Sequence, residues 1–237
     1  MSEIDSKARI EKVLKKATAS FNFSKLEAPT GPEIGSGAFS TVHLTKYEDQ
    51  HVAVKKLSRK QELPDKYLLQ ELSVLGEIKS YNHQSLIQYY GAHDQRSEVA
   101  DGDHYLYIIF EYCQNGDLVS LIGSASPPGW RFRLSLAQQA SSAIACLHQH
   151  NILHRDIKSS NFLLTHDWTL KLADFGASRW VADITTKTTA KIPALHQKQA
   201  LTFVGTDNYA APEILFQEVY NASIDIFSLG MVFYEVR

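Results

Sequence analysis

Cysteine is almost absent: Cys113 and Cys146 are the only two in 237 residues, and both sit in apolar surroundings. They form no paired framework, so the composition points to a reduced intracellular compartment rather than a disulfide scaffold. Excess charge is missing too. Lys and Arg number 24 against 26 Asp and Glu, for a net charge of −2. That balance carries no global signal for nucleic acid or an anionic membrane. Residues 1–20 lack the apolar core of a secretory signal. The most apolar stretch, Ile224–Val236, is too short and too interrupted to span a bilayer. There is no internal repeat and no low-complexity tract. These absences leave a cytoplasmic globular chain, 44% apolar, able to bury a core as one large domain or two packed lobes.

The pattern along the chain changes from β to α. Residues 3–18, with Ile4, Ile10, Val13 and Leu14 among charges, suit a short amphipathic helix. Thr41–Leu44 and His51–Val54 read as strands flanking a polar turn at Glu48-Asp49-Gln50. Leu68, Leu72, Leu75 and Ile78 then repeat at helical spacing. Further strands are expected at Leu86–Ala92 and Tyr105–Glu111, with Asp94–His104 as the loop between them. Leu106–Phe110 is a continuous apolar run, as in a strand buried on both faces. Past Asn115-Gly116-Asp117 the pattern is mostly helical, and Pro127-Pro128 separates a short helix from a long one near 131–150.

Phosphoryl transfer asks a protein to clamp phosphates, hold metal and aim an acceptor hydroxyl. Candidates for each task occur in order. Ile34-Gly35-Ser36-Gly37-Ala38-Phe39 has glycines that let a strand turn close over phosphates, although Gly-x-Gly at a hairpin also makes an ordinary tight turn. Lys55 ends the apolar strand Val52–Val54. It reads either as a snorkelling surface lysine or as a phosphate ligand positioned by a carboxylate. Glu71 is favoured as that carboxylate over Glu62 and Glu77, because Leu75 lies four residues on along the same helix face. The segment His154-Arg155-Asp156-Ile157-Lys158-Ser159-Ser160-Asn161 packs charge between two apolar runs. Asp156 would accept or orient the hydroxyl proton, Lys158 meet the γ-phosphate and Asn161 hold Mg²⁺. Asp174, 18 residues after Asp156 in Asp174-Phe175-Gly176, supplies a second oxygen ligand suited to hard Mg²⁺.

Together these motifs resemble the protein kinase signature set over about residues 30–237, with Ser40 standing where that set has its third glycine. The resemblance implies an α+β, two-lobed fold: 1–29 an N-terminal extension, 30–112 a β-rich small lobe and 113–237 a mainly helical large lobe. It implies ATP and Mg²⁺. It also implies Lys55–Glu71 as the strand–helix ion pair, Phe110 guarding the back pocket and Glu111–Cys113 as the adenine hinge. Val42, Ala53 and Leu163 become the apolar sandwich around adenine. Lys158 and Thr206, whose hydroxyl would bridge Asp156 and Lys158, resemble Ser/Thr kinases. Lys158-Ser159-Ser160-Asn161 with Asp174-Phe175-Gly176-Ala177-Ser178-Arg179 is most similar to the tyrosine-kinase-like group, which includes mixed-lineage and Raf-type enzymes.

Such a kinase acts on protein Ser/Thr acceptors and is switched by an upstream kinase. Thr202 is the favoured phosphosite, with Thr188 and Thr189 as alternatives, and Arg155 would pair with the phosphate. Asp225 is expected to brace the backbone of the Asp156 loop. The chain stops at Arg237 within the helix that Asp225 begins, so the reading is of a truncated large lobe with Glu213 unpartnered. The rival expectation is a catalytically weak, kinase-like module that binds nucleotide or partners.

Overall fold

The computed structural model describes residues 12–13, 15–17, 21–28, 31–37, 40–58, 65–96, 104–124, 126, 128–181, 206–216, 218 and 220–237. They form two compact units. One takes the residues up to Asn82 together with Ile87–Cys113; the other takes His83–Leu86 together with Gln114–Arg237.

In the first unit, β1 (Glu33–Gly37), β2 (Ser40–Tyr47), β3 (Gln50–Ser58), β4 (Tyr89–Arg96) and β5 (His104–Glu111) make an antiparallel sheet ordered β1-β2-β3-β5-β4. Alternate residues of a pleated strand point to opposite faces. The register sets Val54 beside His43 and Ile109, and Lys55 beside Val42 and Ile108. One face therefore gathers the buried Val52, Val54, Tyr107 and Ile109. The other carries Val42, Ala53, Lys55 and Phe110. Helix α1 (Asp65–Tyr81) buries Leu68, Leu72, Leu75 and Ile78 and packs against β4.

The first face is covered by residues that precede the sheet. Leu26 joins its core, and Phe21 and Phe23 pack on it. Leu26 bridges to Tyr47, and the Glu27 N–H donates to the Lys46 carbonyl at 2.9 Å. Phe21 meets the Tyr47 ring at 4.4 Å, and Phe23 stacks on His93 at 3.8 Å. Burial lowers the His93 pKa, with Asp94 opposing it. Of the helix expected over 3–18, residues 12–13 and 15–17 are helical and the remainder lies outside the described residues.

The fourth strand runs later than its sequence pattern suggests. Asp94, Gln95 and Arg96, expected in a loop, continue the ladder opposite Leu106, Tyr105 and His104. The Asp94 carboxylate accepts from His104 Nε2 at 2.6 Å, which satisfies a polar side chain inside a strand. Leu86, expected in that strand, instead bridges Leu172 in the second unit.

That second unit is organised on helix α3 (Trp130–Gln149), after the short helix α2 (Leu118–Ile122). Asp117 caps α2 by accepting the Ser120 N–H at 2.8 Å. Along α3 the buried Leu136, Ala140, Ala143, Ile144 and Leu147 recur at intervals of one to four. The strand pairs β6 (Ile152–Leu153) with β9 (Arg179–Trp180), and β7 (Phe162–Leu164) with β8 (Leu170–Leu172), frame the connecting loops. Helix α4 (Pro212–Leu215) precedes α5 (Ser223–Val236). On α5, Ile224, Leu229, Val232 and Val236 are buried, while Ile226, Phe227 and Tyr234 are exposed. No helix among the described residues is long and apolar enough to cross a membrane.

Gly91 tests how the N-terminal segment seats on the sheet, because a Cβ there would lie 2.5 Å from the Phe21 Cβ. Gly91→Ala should lower unfolding stability by about 1–3 kcal/mol through overpacking. In a Phe21→Gly background the same change should cost much less. Urea midpoints read both, and equal costs in the two backgrounds would contradict the contact.

Candidate active site

His154–Asn161 runs between β6 and β7, and its backbone is held by one carboxylate. Asp225, 1% exposed, accepts the His154 N–H on Oδ2 at 2.9 Å and the Arg155 N–H on Oδ1 at 2.8 Å. His148 Nε2 donates to Oδ2 at 2.8 Å. Arg155 takes φ +69°, a left-handed conformation unusual outside glycine, and the two-point hold from Asp225 fixes it there. The brace was expected from Asp225; its third donor, His148, carries no signal beyond its place near the end of α3.

Past this bend the side chains converge. Asp156 Oδ2 accepts from Lys158 Nζ at 2.8 Å and from Asn161 Nδ2 at 3.0 Å. Asn161 Nδ2 also donates to the Asp156 carbonyl at 2.7 Å, so the amide is oriented with its Oδ1 on the opposite side. Its backbone carbonyl accepts the Ala173 N–H at 2.8 Å, which sets the entry to Asp174-Phe175-Gly176 beside the loop. Asp174 is exposed and left-handed, with φ +60°. Phe175 is buried edge-on to the His154 ring at 5.1 Å. His154 accepts the Asp156 N–H on Nδ1 and donates from Nε2 to the Ala173 carbonyl at 3.1 Å.

In the first unit, Lys55 Nζ donates to Glu71 Oε1 at 2.7 Å, and both side chains are largely buried. Of the rivals, Glu77 is exposed on α1 and Glu62 lies outside the described residues. Close to Glu71, the buried Tyr89 hydroxyl has no partner among the described residues. Burial first, and then the Glu71 charge, push its pKa up. Val42, Ala53 and Phe110 share the Lys55 face of the sheet, while Leu163 lies on β7 in the second unit. Glu111 and the buried Cys113 close the first unit's sequence. Ile34, Gly35, Ser36 and Gly37 form β1, pairing onto Ser40–His43 of β2; Ala38 and Phe39 lie outside the described residues.

The protein kinase domain profile matches residues 29–237. The chain belongs to the protein kinase family. It is 30% identical over 209 residues to a probable serine/threonine-protein kinase of Dictyostelium discoideum, covering 86% of this chain and 20% of that protein. It is 32% identical over 210 residues to the probable serine/threonine-protein kinase kinX of the same organism, covering 86% of this chain and 17% of kinX. A putative serine/threonine-protein kinase/receptor of Acanthamoeba polyphaga mimivirus is 29% identical over 213 residues, covering 89% of this chain and 12% of that protein. The chain thus spans a fifth or less of the length of these relatives. Its sheet-rich first part and helical later part are the α+β kinase fold.

Other expected kinase features fare unevenly. Thr206 opens a 3-10 turn, Thr206–Tyr209, but its side chain is outside the described residues, as are Thr188, Thr189 and Thr202. Glu213, expected to be unpartnered, accepts from the Ser223 hydroxyl at 3.0 Å, because Ser223 opens α5 near α4. Sequence reasoning also missed Ser159, Tyr209 and Glu235 as an interacting group; a lone glutamate near a helix end gives no pattern to find.

Burial alone would raise the Asp225 pKa. The His148 hydrogen bond, the His154 ring and the two backbone N–H donors outweigh it, and the carboxyl lies below its ordinary value of 3.8. A group whose folded pKa is depressed stabilises the fold above the unfolded value and loses that contribution as pH falls through the folded pKa. Asp225→Asn should therefore cost about 3–5 kcal/mol near neutral pH, the range for breaking a buried charged network. The penalty should shrink as the pH falls below that ordinary value. Urea midpoints across that range check it; a penalty independent of pH would show that the charge is not what matters.

Proposed function

We propose that this chain is a Ser/Thr protein kinase that transfers the γ-phosphate of ATP to Ser or Thr hydroxyls of protein substrates. The observation that carries the reading is the convergence of Lys158 and Asn161 on one oxygen of Asp156. The other oxygen is left to receive the acceptor hydroxyl's proton. That hydroxyl oxygen forms a bond to the γ-phosphorus as the bond to the β,γ-bridging oxygen breaks. ADP leaves, and the proton passes to Asp156. Lys158 offsets the charge of the moving phosphoryl group, and Thr206 steadies Asp156 and Lys158.

Asn161 and Asp174 would hold Mg²⁺, supplying charge neutralisation on the phosphates. The donor set fits: a carboxamide oxygen turned out by its own N–H bonds, and a carboxylate, are hard oxygen ligands. Lys55, positioned by Glu71, meets the α- and β-phosphates. Ile34, Gly35, Ser36, Gly37, Ala38 and Phe39 cover the phosphates. An added Cβ at Gly35 meets nothing nearer than Val42 at 3.8 Å, so packing within the sheet does not demand glycine, and a bare backbone suits phosphate contact. Val42, Ala53, Phe110, Glu111, Cys113 and Leu163 take the adenine.

Ser/Thr direction rests on Lys158 two residues after Asp156, and on Thr206. The Lys158-Ser159-Ser160-Asn161 string, with Asp174-Phe175-Gly176-Ala177-Ser178-Arg179, supports membership of the tyrosine-kinase-like group of mixed-lineage and Raf-type enzymes. An upstream kinase phosphorylates the 174–213 segment, with Thr202 first choice. Arg155, whose buried Nε has no partner among the described residues, pairs with that phosphate. Two buried cysteines that form no disulfide accord with cytoplasmic signalling.

Purified chain with Mg-ATP and a generic basic protein should yield phosphoserine and phosphothreonine. Asp156→Asn should lower kcat by about 10²–10⁴ while retaining the thermal shift given by Mg-ATP. Phosphotyrosine alone, or transfer unaffected by Asp156→Asn, overturns the proposal. A thermal shift without transfer supports the rival reading of a binding module.

A further inference from the structure

Residues 21–27 precede the stretch that belongs to the kinase family, which begins at residue 29. They nonetheless pack as part of the first unit's sheet. Leu26 is buried in the core of its outer face with Val52, Val54, Tyr107 and Ile109. The backbone joins as well: the Glu27 N–H donates to the Lys46 carbonyl at 2.9 Å, and the Glu48 N–H donates to the Lys25 carbonyl at 3.3 Å. Phe23 lies 8° from parallel with the His93 ring and 5.5 Å from that of Tyr107. The segment therefore ties the turn between β2 and β3 to β4 and β5.

On β4 it seats at an irregularity. Tyr89 stands opposite Phe110 and Gly91 opposite Ile109, so Tyr90 is one residue too many for the ladder. Such a bulge bends the strand and leaves the extra residue unpaired. The Tyr90 carbonyl instead accepts from Lys79 Nζ of α1 at 2.6 Å. From the other side Phe21 covers Gly91 so closely that a Cβ there would also come within 3.4 Å of the Ala17 carbonyl. The bulge is thus gripped twice, by the N-terminal segment and by α1.

Glu71 lies eight residues before Lys79, about 12 Å along the same helix. Its carboxylate holds Lys55 at 2.7 Å. Lys55 in turn follows Val54, which lies in the core that Leu26 joins, while Lys55 points to the opposite face. Two short routes therefore connect the segment to the ion pair: one through β3, the other through the bulge and α1.

We propose that residues 21–27 are a positioning clasp for phosphoryl transfer. Seated on the bulge at Tyr90-Gly91, they hold α1 where Glu71 can pair with Lys55. The inference rests on the kinase reading for its effect on nucleotide use. The positioning residue with the largest part is Phe21; it acts through Gly91, Lys79 and Glu71.

The test uses the full chain with Phe21→Ala, Phe21→Leu, Lys79→Met, Glu71→Ala and the Phe21→Ala/Glu71→Ala double variant. Phe21→Ala should raise KM for Mg-ATP about fivefold, at the low end of coupling between sites, and change kcat less than twofold. Simple loss of stability would do the reverse, lowering kcat with the folded fraction and leaving KM alone. Lys79→Met should reproduce the rise in KM, and Phe21→Leu, which keeps apolar bulk, should recover most of it. Those two variants keep the question measurable if Phe21→Ala folds poorly. In the Glu71→Ala background, Phe21→Ala should weaken Mg-ATP binding no further, because the link it serves is already gone. Hydrogen exchange should quicken at amides 68–79 of α1 in Phe21→Ala, with the amides of α3 unchanged.

An unchanged KM, unchanged exchange at 68–79, or additive losses in the double variant overturn the clasp. If the parent chain transfers phosphate and the Phe21 and Lys79 variants match it, the clasp fails while the kinase reading stands. If the parent transfers none, that reading fails, and exchange at 68–79 still decides the clasp.

Discussion

A carboxylate removed from water must find enough donors to outweigh its lost hydration, and Asp225 finds three within its own unit. Two of them are consecutive backbone N–H groups. Accepting both at once forces the chain to bend at His154 and Arg155, and Arg155 goes into left-handed space as a result. The direction in which Asp156 leaves that bend is therefore a consequence of one buried charge on α5. His148 completes the arrangement from α3, so the bend depends on how two helices pack as well as on the loop's own residues. A neutral isostere retains the shape but not the charge that orients all three donors.

The same helix shows how apolar and polar demands are divided. Leu229, Val232 and Val236 lie buried, and Asp225, Ser228 and Glu235 form the polar side that meets the loops. Neighbouring elements need not touch each other to be coupled when both attach to one rigid rod. The loop holding Asp156, Lys158 and Asn161, and the turn holding Thr206, are joined in this way. The first unit solves a comparable problem by alternation: residues 21–26 cover one sheet face, which leaves the opposite face to carry Lys55 toward Glu71.

Much of this was legible in advance because it is local. Strand alternation around Val52–Lys55, the helical repeat from Leu68 to Ile78 and the break at Pro127-Pro128 each need only a few neighbouring residues to be read. The Lys55–Glu71 pair was legible for a related reason, since helix periodicity singled out one carboxylate among three. The fourth strand was misplaced because Asp94 looks like loop until His104, ten residues on, is known to satisfy it.

By itself the sequence determined the family, the order of the motifs and the types of element that carry them, because these follow from residue chemistry and short spacing. Only the tertiary structure decided the partners across long separations: His148 with Asp225, Ser159 and Tyr209 with Glu235, Ser223 with Glu213, and Phe23 with His93. Nothing in the spacing of such pairs distinguishes them from solvated residues. They meet because packing α3, α5 and the sheet faces together decides which few neighbours can satisfy each polar group.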